Sequence, residues 1–286
     1  MDLSRERLVL YTGAGLLGGF AGWAMAEPLA GIFQPYTRAA AMGAAVGIFI
    51  GVFIGSIEGL SAGHRNKTWM GVKSGAAAGV LGGSLGLLLA ELTFEAFGGM
   101  GGQILGWGIF GCAVGLGAGR GGKSKERMRN GGIGGAIGGA LGGAMFQLVA
   151  ALLPQQTAGR AIGISLLGAL IGLWIGLVSE ILKRGWFMVV RSKSRNTREG
   201  REYHFTKEKS TIGRAEESDV GLFGDQSIAE LHAMVEKQKH AFTLIRSGGE
   251  VNVNGERIDR PVPLNNGDRI EIGGTLLLFR VRDRKQ

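Results

Sequence analysis

The chain has 286 residues, of which 54 are glycine and one is cysteine, and its 32 basic and 23 acidic side chains leave a net charge of +9. This glycine density, without a Gly-X-Y period or a proline- and serine-rich background, excludes collagen and flexible linkers. The single Cys112 excludes a disulfide framework or a cysteine-rich metal site. Because most basic side chains of the first 184 residues lie in short loops between apolar runs, we expect no nucleic-acid partner.

Six apolar segments occupy residues 1–184, and most of them reach the roughly 20 residues that cross the hydrocarbon core of a bilayer. The first begins after Arg5 and Arg7 and ends at Ala24-Met25-Ala26, which also fits a secretory signal peptide cleaved before Glu27. We favour a retained helix, because the glycine spacing of this segment recurs in later ones. The predicted helices are Leu8–Ala26, Ala39–Leu60, Met70–Ala90, Ile104–Gly119, Gly131–Leu153 and Ala161–Leu182.

The charges in the loops predict the orientation of the chain. Lysine and arginine concentrate before the first segment, between the second and third, between the fourth and fifth, and after the sixth. The opposite loops contain only Arg38 and Arg160. Because positively charged loops stay in the cytoplasm, we predict a multi-pass protein of the cell membrane. Its partner there is the lipid bilayer, and both its N- and C-termini are cytoplasmic.

The segments share a glycine pattern that occurs three times. The first, third and fifth carry GxxGGxxG, and the second, fourth and sixth carry a ladder of glycines at every fourth position. Copies of the first pattern are 64 and 56 residues apart (79 − 15 and 135 − 79). Because small residues at this spacing let membrane helices pack closely, we predict an all-α polytopic membrane bundle of three repeated helical hairpins. The predicted helix-packing residues are Gly15, Gly19, Gly79, Gly83, Gly135 and Gly139.

Three polar residues occupy one position of this repeat, namely Glu27, Glu91 and Gln147. In one interpretation they line a membrane pathway around a pseudo-threefold axis. In the other, each caps its helix at the extracytoplasmic interface, because each lies at the end of its segment. We favour the second interpretation and keep the pathway as an alternative.

The long apolar segments end at Leu182. Short apolar runs bounded by glycine, asparagine and aspartate continue to the C-terminus, with turn signals at Asn254-Gly255 and Asn266-Gly267-Asp268. Many short strands at close spacing predict an all-β sandwich in residues 185–286. The predicted strands are Trp186–Val190, Glu202–Phe205, Ser210–Ile212, Ala233–Glu236, Phe242–Ile245, Val251–Val253, Arg269–Ile272 and Leu276–Val281.

An ordered set of motifs runs through this region: Thr211-Ile212-Gly213-Arg214, Ser218-Asp219-Val220, His232-Ala233, Val253-Asn254-Gly255 and Ile270-Glu271-Ile272-Gly273. The set resembles a forkhead-associated (FHA) domain. The resemblance implies an FHA-type sandwich of two sheets that binds phosphothreonine peptides through loops at one end. It implies three phosphate-binding donors: the arginine of Gly-Arg, a serine three residues before the histidine, and an asparagine in an S-x-N-G loop. It also implies that His232 supports the loops by a buried hydrogen bond.

Only one of these three donors matches. Arg214 stands in the Gly-Arg position, but Ala229 replaces the serine and Gly249 the asparagine. Glu230 and Glu250 bring negative charge near the place of the phosphate. On sequence alone, Ala229→Ser with Gly249→Asn would restore the missing donors. The predicted phosphopeptide- or partner-binding residues are Arg214, Ser227, Ser247 and Asn252.

The sequence contains no nucleophile–base pair, phosphate-binding loop or ligand cluster with metal spacing, so we predict no enzymatic activity, no cofactor and no metal site. The favoured function is a membrane protein that presents a cytoplasmic FHA-type domain for protein–protein assembly or signalling. Its partner is a cytoplasmic protein, phosphorylated or not. Such degenerate domains resemble scaffold domains in the membrane rings of secretion machines, and the sequence leaves a homo-oligomer open. The alternative is a channel or transporter that is gated by its FHA domain.

Overall fold

A computed structural model describes residues 3–31, 34–62, 65–97, 100–120, 124–153, 156–194, 196–238 and 241–282. The chain divides into two compact units, Met1–Leu182 and Lys183–Gln286. The first contains a short 3-10 helix at Glu27–Gly31 and the helices α1 (Leu3–Ala26), α2 (Pro35–Ala62), α3 (Arg65–Phe97), α4 (Met100–Arg120), α5 (Lys125–Leu152) and α6 (Gln156–Ile181).

Within the described residues, six helices are long and apolar enough to cross a membrane, which confirms the six predicted segments as helices. The largest difference is in α3, which continues to Phe97 instead of ending before Glu91. No glycine or proline interrupts residues 87–97, and the Tyr36 hydroxyl donates a hydrogen bond to the Glu95 carboxylate at 2.5 Å. Glu91 therefore lies within its helix, and the expectation that it stands at the helix end is wrong.

The helices of the first unit form a closed ring. Consecutive helices pack against each other, and α6 packs against α1. The even-numbered helices also contact one another, and they bury 44–56% of their most apolar stretch, against 28–33% for the odd-numbered helices. The helices α2, α4 and α6 therefore form the inside of the ring, and α1, α3 and α5 form its outside.

Pairs of facing glycines bring helix backbones into contact at three interfaces of the ring. In each facing pair, a Cβ atom on one glycine would overlap the carbonyl group of the other, so no larger residue fits without separating the helices. Gly135 faces Gly111 between α5 and α4, and Gly15 faces Gly168 between α1 and α6. Between α2 and α3 the pairs are Gly43 with Gly83, Gly47 with Gly79, Gly51 with Gly75, and Gly55 with Gly71.

The GxxGGxxG pattern serves two interfaces, because its glycines lie on two neighbouring faces of one helix. In α1, Gly15 and Gly19 face α6, whereas Gly18 and Gly22 face α2. The other two copies repeat this arrangement, with Gly79 and Gly83 facing α2, and Gly135 and Gly139 facing α4.

Apolar side chains fill the middle of the ring. Residues that precede ladder glycines of α2, α4 and α6 belong to one hydrophobic cluster or pack against it, and all of them except the partly buried Ala118 are buried. Residues at equivalent positions of the ladders are Val46, Phe110 and Leu167, and then Ile50, Val114 and Ile171, and all six belong to this cluster. The inner helices are thus held together by side-chain packing and the outer ones by backbone contact.

The second unit is a two-layer sandwich. Its six-stranded sheet has the order β2-β1-β11-β10-β7-β8, and its five-stranded sheet has the order β4-β3-β5-β6-β9. The described strands are β1 (Gly185–Ser192), β2 (Glu202–His204), β3 (Lys209–Gly213), β4 (Val220–Gly221), β5 (Ala233–Gln238), β6 (Ala241–Arg246), β7 (Val251–Val253), β8 (Glu256–Arg257), β9 (Val262–Pro263), β10 (Arg269–Ile272) and β11 (Thr275–Val281).

All eight predicted strands are present, but β4, β8 and β9 were not predicted. Each of these three has two residues, which is too short to show the alternation that identifies a strand. Between the sheets, Phe187 packs edge-to-face on Phe205 with ring centroids 4.8 Å apart. The ring centroids of Phe279 and Phe242 are 5.4 Å apart. These ring contacts hold β1 and β11 of one sheet against β6 of the other.

Glu202 lies between two basic side chains near the start of β1. Its Oε2 atom is 3.2 Å from Lys183 Nζ and 3.1 Å from His204 Nε2. Burial alone would raise the pKa of Glu202, but the hydrogen bonds and charges of His204 and Lys183 outweigh it and lower the pKa to about 2. The folded state therefore favours the ionised carboxylate.

Gly83→Leu should destabilise the helical unit, because the new side chain would meet the carbonyl group of Gly43. We expect a loss of about 3 kcal/mol in the free energy of unfolding, the upper end of ordinary overpacking. The matched control is Ala77→Leu, at an exposed position of the same helix, which should be tolerated. Circular dichroism of the detergent-solubilised variants during thermal unfolding measures both, and equal tolerance would mean that the glycines have no packing role.

Glu202→Gln should destabilise the sandwich in a pH-dependent way. Because the folded-state pKa lies below the ordinary carboxyl pKa of 4.5, the carboxylate stabilises the fold above pH 4.5, and this contribution is lost as the pH falls toward 2. We expect a difference from the wild type of about 1–3 kcal/mol at pH 5 that disappears near pH 2. Urea unfolding of residues 183–286 at the two pH values tests this, with Glu208→Gln as the exposed control.

Candidate functional site

Three loops meet at one end of the sandwich, and we call residues 214–219, 222–232 and 247–250 the apical loops. They follow or precede the strand ends at Gly213, Ala233 and Val251. The antiparallel pairing of β1, β11, β10 and β7 places Val251 at the same end as Ser192, and Gly185 at the other. The apical loops thus lie at the end of the sandwich opposite the first residue of β1.

His232 connects two of the apical loops. Its side chain is buried, and its Nδ1 atom accepts a hydrogen bond from the backbone N–H of Ala229 at 3.0 Å. The other nitrogen, Nε2, therefore carries the proton and donates to the carbonyl oxygen of Glu250 at 2.9 Å. The structural role predicted for His232 is confirmed. Because both ring nitrogens are engaged, this histidine is not available as a metal ligand.

Arg214 is an exposed side chain on a fixed piece of backbone. Its N–H donates to the carbonyl oxygen of Ala229 at 3.1 Å, and the N–H of Ala215 donates to that of Glu230 at 3.3 Å. The guanidinium group forms no hydrogen bond or ion pair with the described residues. It is therefore available to an incoming ligand.

Ser247 lies on the neighbouring apical loop. Its backbone N–H donates to the carbonyl oxygen of His232 at 3.0 Å, as does that of Gly248, and its side chain is exposed. The structure therefore brings Ser247 to the same end of the sandwich as Arg214.

Ser227 is also in an apical loop, but its hydroxyl group has a partner. The hydroxyl donates to Asp225 Oδ1 at 2.5 Å, and the Ser227 N–H donates to the same atom at 2.9 Å. Asp225 also accepts from the backbone N–H of Gly274 at 2.8 Å. These bonds from Ser227 and Gly274 hold the pKa of Asp225 below its usual value. Sequence reasoning missed Asp225, although the Asp-x-Ser spacing is typical of such a turn.

Asn252 lies outside the apical loops. It is in β7 between the buried residues Val251 and Val253, opposite Glu271 of β10 and Arg257 of β8. Since successive side chains of a strand point to opposite faces, Asn252 points away from the sandwich core. The structure does not bring Asn252 together with Arg214.

The backbone at Gly249 leaves no room for a side chain. A Cβ atom there would overlap the imidazole ring of His232. The asparagine proposed from the sequence for this position therefore does not fit the present arrangement. Ala229 already carries a Cβ atom and is partly exposed, so serine adds only the hydroxyl group there.

The charges around Arg214 are predominantly negative. Glu216, Glu217 and Glu230 are exposed on the same loops. Glu250 is partly neutralised, since Arg257 Nη1 lies 3.3 Å from its Oε1 atom. Sequence reasoning identified Glu230 and Glu250 but missed the other two, although Glu216 and Glu217 follow Arg214 closely in the chain.

The polar residues of the helical unit lie apart from these loops in the sequence and differ in environment. Glu27 begins the 3-10 helix, accepts hydrogen bonds from Arg160 Nε and Trp23 Nε1 at 3.1 Å each, and thereby ties that helix to α6. Glu91 and Gln147 are half-buried on α3 and α5. Within the described residues, no hydrogen bond joins any two of Glu27, Glu91 and Gln147.

Comparison with known proteins agrees with this geometry. The family model of the FHA domain matches residues 210–273. The FHA domain of a Chlamydia trachomatis protein is 22% identical, and the match covers 35% of this chain and 99% of that chain with a TM-score of 0.32. The N-terminal FHA domain of S. cerevisiae RAD53P, solved with a phosphothreonine peptide, is 15% identical over 35% of this chain and 94% of that chain, with a TM-score of 0.31.

No curated protein sequence matches this chain. The family match coincides with the strands and loops described above, from β3 through the apical loops to the end of β10. Residues 210–273 of this chain form an FHA domain, a protein-interaction module.

Proposed function

We propose that the protein is a membrane-anchored scaffold whose FHA domain binds a cytoplasmic protein with weak or absent dependence on phosphothreonine. The observation that carries this proposal is the composition of the apical loops. Of the three donors that the family resemblance implies, only the guanidinium group of Arg214 is present, because Ala229 and Gly249 have no side-chain donor.

The loss of two donors is large enough to change what the site recognises. A hydrogen bond to a charged group contributes about 1.5–3 kcal/mol. Two such bonds amount to about 3–6 kcal/mol, or roughly two to four orders of magnitude in the dissociation constant. Ser227 offers no replacement in its present rotamer, since its hydroxyl donates to Asp225. Ser247 keeps an exposed hydroxyl and is the best remaining second donor.

The electrostatic environment points in the same direction. A phosphothreonine carries a charge of about −1.5 to −2, and Glu216, Glu217 and Glu230 are exposed on the loops that present Arg214. These carboxylates would repel the phosphate and would attract basic groups of a partner. The hydrogen bonds of His232 join two of these loops, which favours a preformed surface for a protein.

The membrane part of the proposal rests on the length and apolar character of the six helices and on the positively charged loops at one side. In this arrangement the bundle anchors the FHA domain at the cell membrane, with both termini in the cytoplasm. The apolar cluster in the middle of the ring and the pairing of Glu27 with Arg160 favour an anchor over the alternative of a gated channel or transporter. Ion or water flux through reconstituted protein would support the alternative.

The unmodified domain should bind phosphorylated and unphosphorylated forms of a threonine peptide with similar affinity. Ala229→Ser alone should create a preference for the phosphorylated form of about tenfold to a hundredfold, since it adds one charge-assisted hydrogen bond. Arg214→Ala in that variant should abolish the preference. Titration of residues 183–286 against a phosphothreonine peptide library at fixed salt measures all three, because salt screens these contacts.

Arg260→Ala is the matched control for this titration, since Arg260 is an exposed arginine outside the apical loops. It should leave both affinities unchanged. Strong discrimination by the unmodified domain that depends on Arg214 would contradict the proposal and would indicate a phosphothreonine adaptor.

The orientation of the chain can be tested separately with reporter fusions. Because the charged loops lie on one side, fusions at Pro35, Gly98 and Gln155 should report the outside, and those at Asn66, Lys125 and Gln286 the cytoplasm. An external C-terminus, or a mature protein that begins at Glu27, would contradict this orientation.

A further inference from the structure

The outward face of the six-stranded sheet carries an apolar patch. In β1 and β11 the side chains of Phe187, Val189, Leu277 and Phe279 are buried in the core, so the residues that alternate with them point outward. We call this surface the outer face. Its apolar side chains are at least partly exposed to solvent, with Val190 the most exposed at 41%, and they are Trp186, Met188, Val190, Leu276 and Leu278.

Arginines stand beside these apolar side chains. The strand register pairs Trp186 with Arg280, and Leu276 with Arg191, across β1 and β11. It pairs Leu278 with Arg269 across β11 and β10. All three arginines are exposed, and their guanidinium groups form no ion pair with the described residues.

The carboxylates of the outer face do not balance this charge. Glu202 is held by Lys183 Nζ at 3.2 Å, which leaves Glu271, opposite Leu276, as the acidic group without a described ion pair. The outer face is thus apolar in the middle and positively charged around it. A second copy related by a twofold axis would bring this positive surface onto itself, so the charge favours an anionic partner.

The connection to the helices limits how far this face can be from a bilayer. Helix α6 ends at Ile181 and β1 begins at Gly185, so the intervening chain reaches at most about 14 Å. Trp186 is the next residue of β1, at the end of the strand nearest this connection. If α6 crosses the membrane, as the proposed function requires, Trp186 and Arg280 remain close to the lipid headgroups.

We propose that the outer face binds the anionic headgroups of the adjacent membrane leaflet. Tryptophan is favoured at the membrane–water interface, and each basic side chain near an anionic surface contributes about 1 kcal/mol of attraction, or about a fivefold change in binding. The apolar side chains between the arginines add contact with the upper part of the acyl region. This inference rests on the membrane anchoring of the proposed function.

The contact would also orient the partner-binding site. The apical loops lie at the ends of the strands and not on the outer face, so lipid binding leaves Arg214 and Ser247 accessible. A sandwich held flat by its outer face would present these loops parallel to the membrane surface.

The test measures the environment of one residue of the outer face in the full-length protein. In a Cys112→Ala background, Met188→Cys carries a spin label, and Thr243→Cys on the outward side of the five-stranded sheet is the matched control. In nanodiscs that contain phosphatidylglycerol, the label at position 188 should lose access to a water-soluble nickel chelate, and the label at 243 should keep it. Access at 188 should return in phosphatidylcholine nanodiscs and at high salt.

Substitution of the arginines gives an independent measurement. In phosphatidylglycerol nanodiscs, Arg269→Gln with Arg280→Gln should lower the ratio of molecules with a lipid-bound outer face to molecules with a free outer face about 25-fold. Arg260→Gln should leave this ratio unchanged. All three positions are exposed, and circular dichroism confirms that the variants fold.

If the chain is inserted in the nanodisc, two results would overturn the inference. A label at 188 as accessible as that at 243 would show that the outer face is free. A label at 188 protected equally in both lipids and at high salt would show that protein, such as a second copy or another partner, covers it. Failure of the chain to enter the discs would instead contradict the membrane anchoring itself, and this inference with it.

Discussion

Contact between the backbones of α2 and α3 is the constraint on which the helical unit depends. Four glycines of each helix face one another with no side chain between them, so the distance between the two axes is set by the peptide groups. Glycine costs a helix about 1 kcal/mol relative to alanine, and the close approach offsets this cost through dispersion and carbonyl contacts. The same contact between α4 and α5 and between α6 and α1 closes the ring.

The spacing of the glycines indicated close helix packing, but it did not predict which helices face each other. Every ladder has a glycine at every fourth position, so nothing in the sequence distinguishes Gly168 from Gly47 as the partner of Gly15. The partner is decided by the ring, in which each outer helix lies between two inner ones. Likewise, the sequence predicted the long strands from their alternation but not Val220–Gly221, which pairs in parallel with β3 only because the loop before it returns to that position.

At the apical loops the residue types could be read from the sequence, but their availability could not. Arg214 and Ser247 are exposed as a binding role requires. Ser227 is equally exposed, but its hydroxyl donates a hydrogen bond to Asp225. This hydrogen bond depends on a local turn. Asn252 belongs to a strand pair, and the face on which it lies follows from the register alone. The role of His232 was predictable because the family resemblance already implied a buried hydrogen bond.

The contact of Gly249 with the His232 ring has a consequence for how the domain changes over generations. Asparagine cannot enter position 249 while the histidine occupies that space, and the histidine cannot leave without releasing the backbone of Ala229 and Glu250. Phosphate recognition through an asparagine at this position would therefore require the backbone of residues 247–250 to move as well as residue 249 to change. Single substitutions are accommodated more easily at the exposed positions around Arg214, where they would alter which protein partner the domain binds.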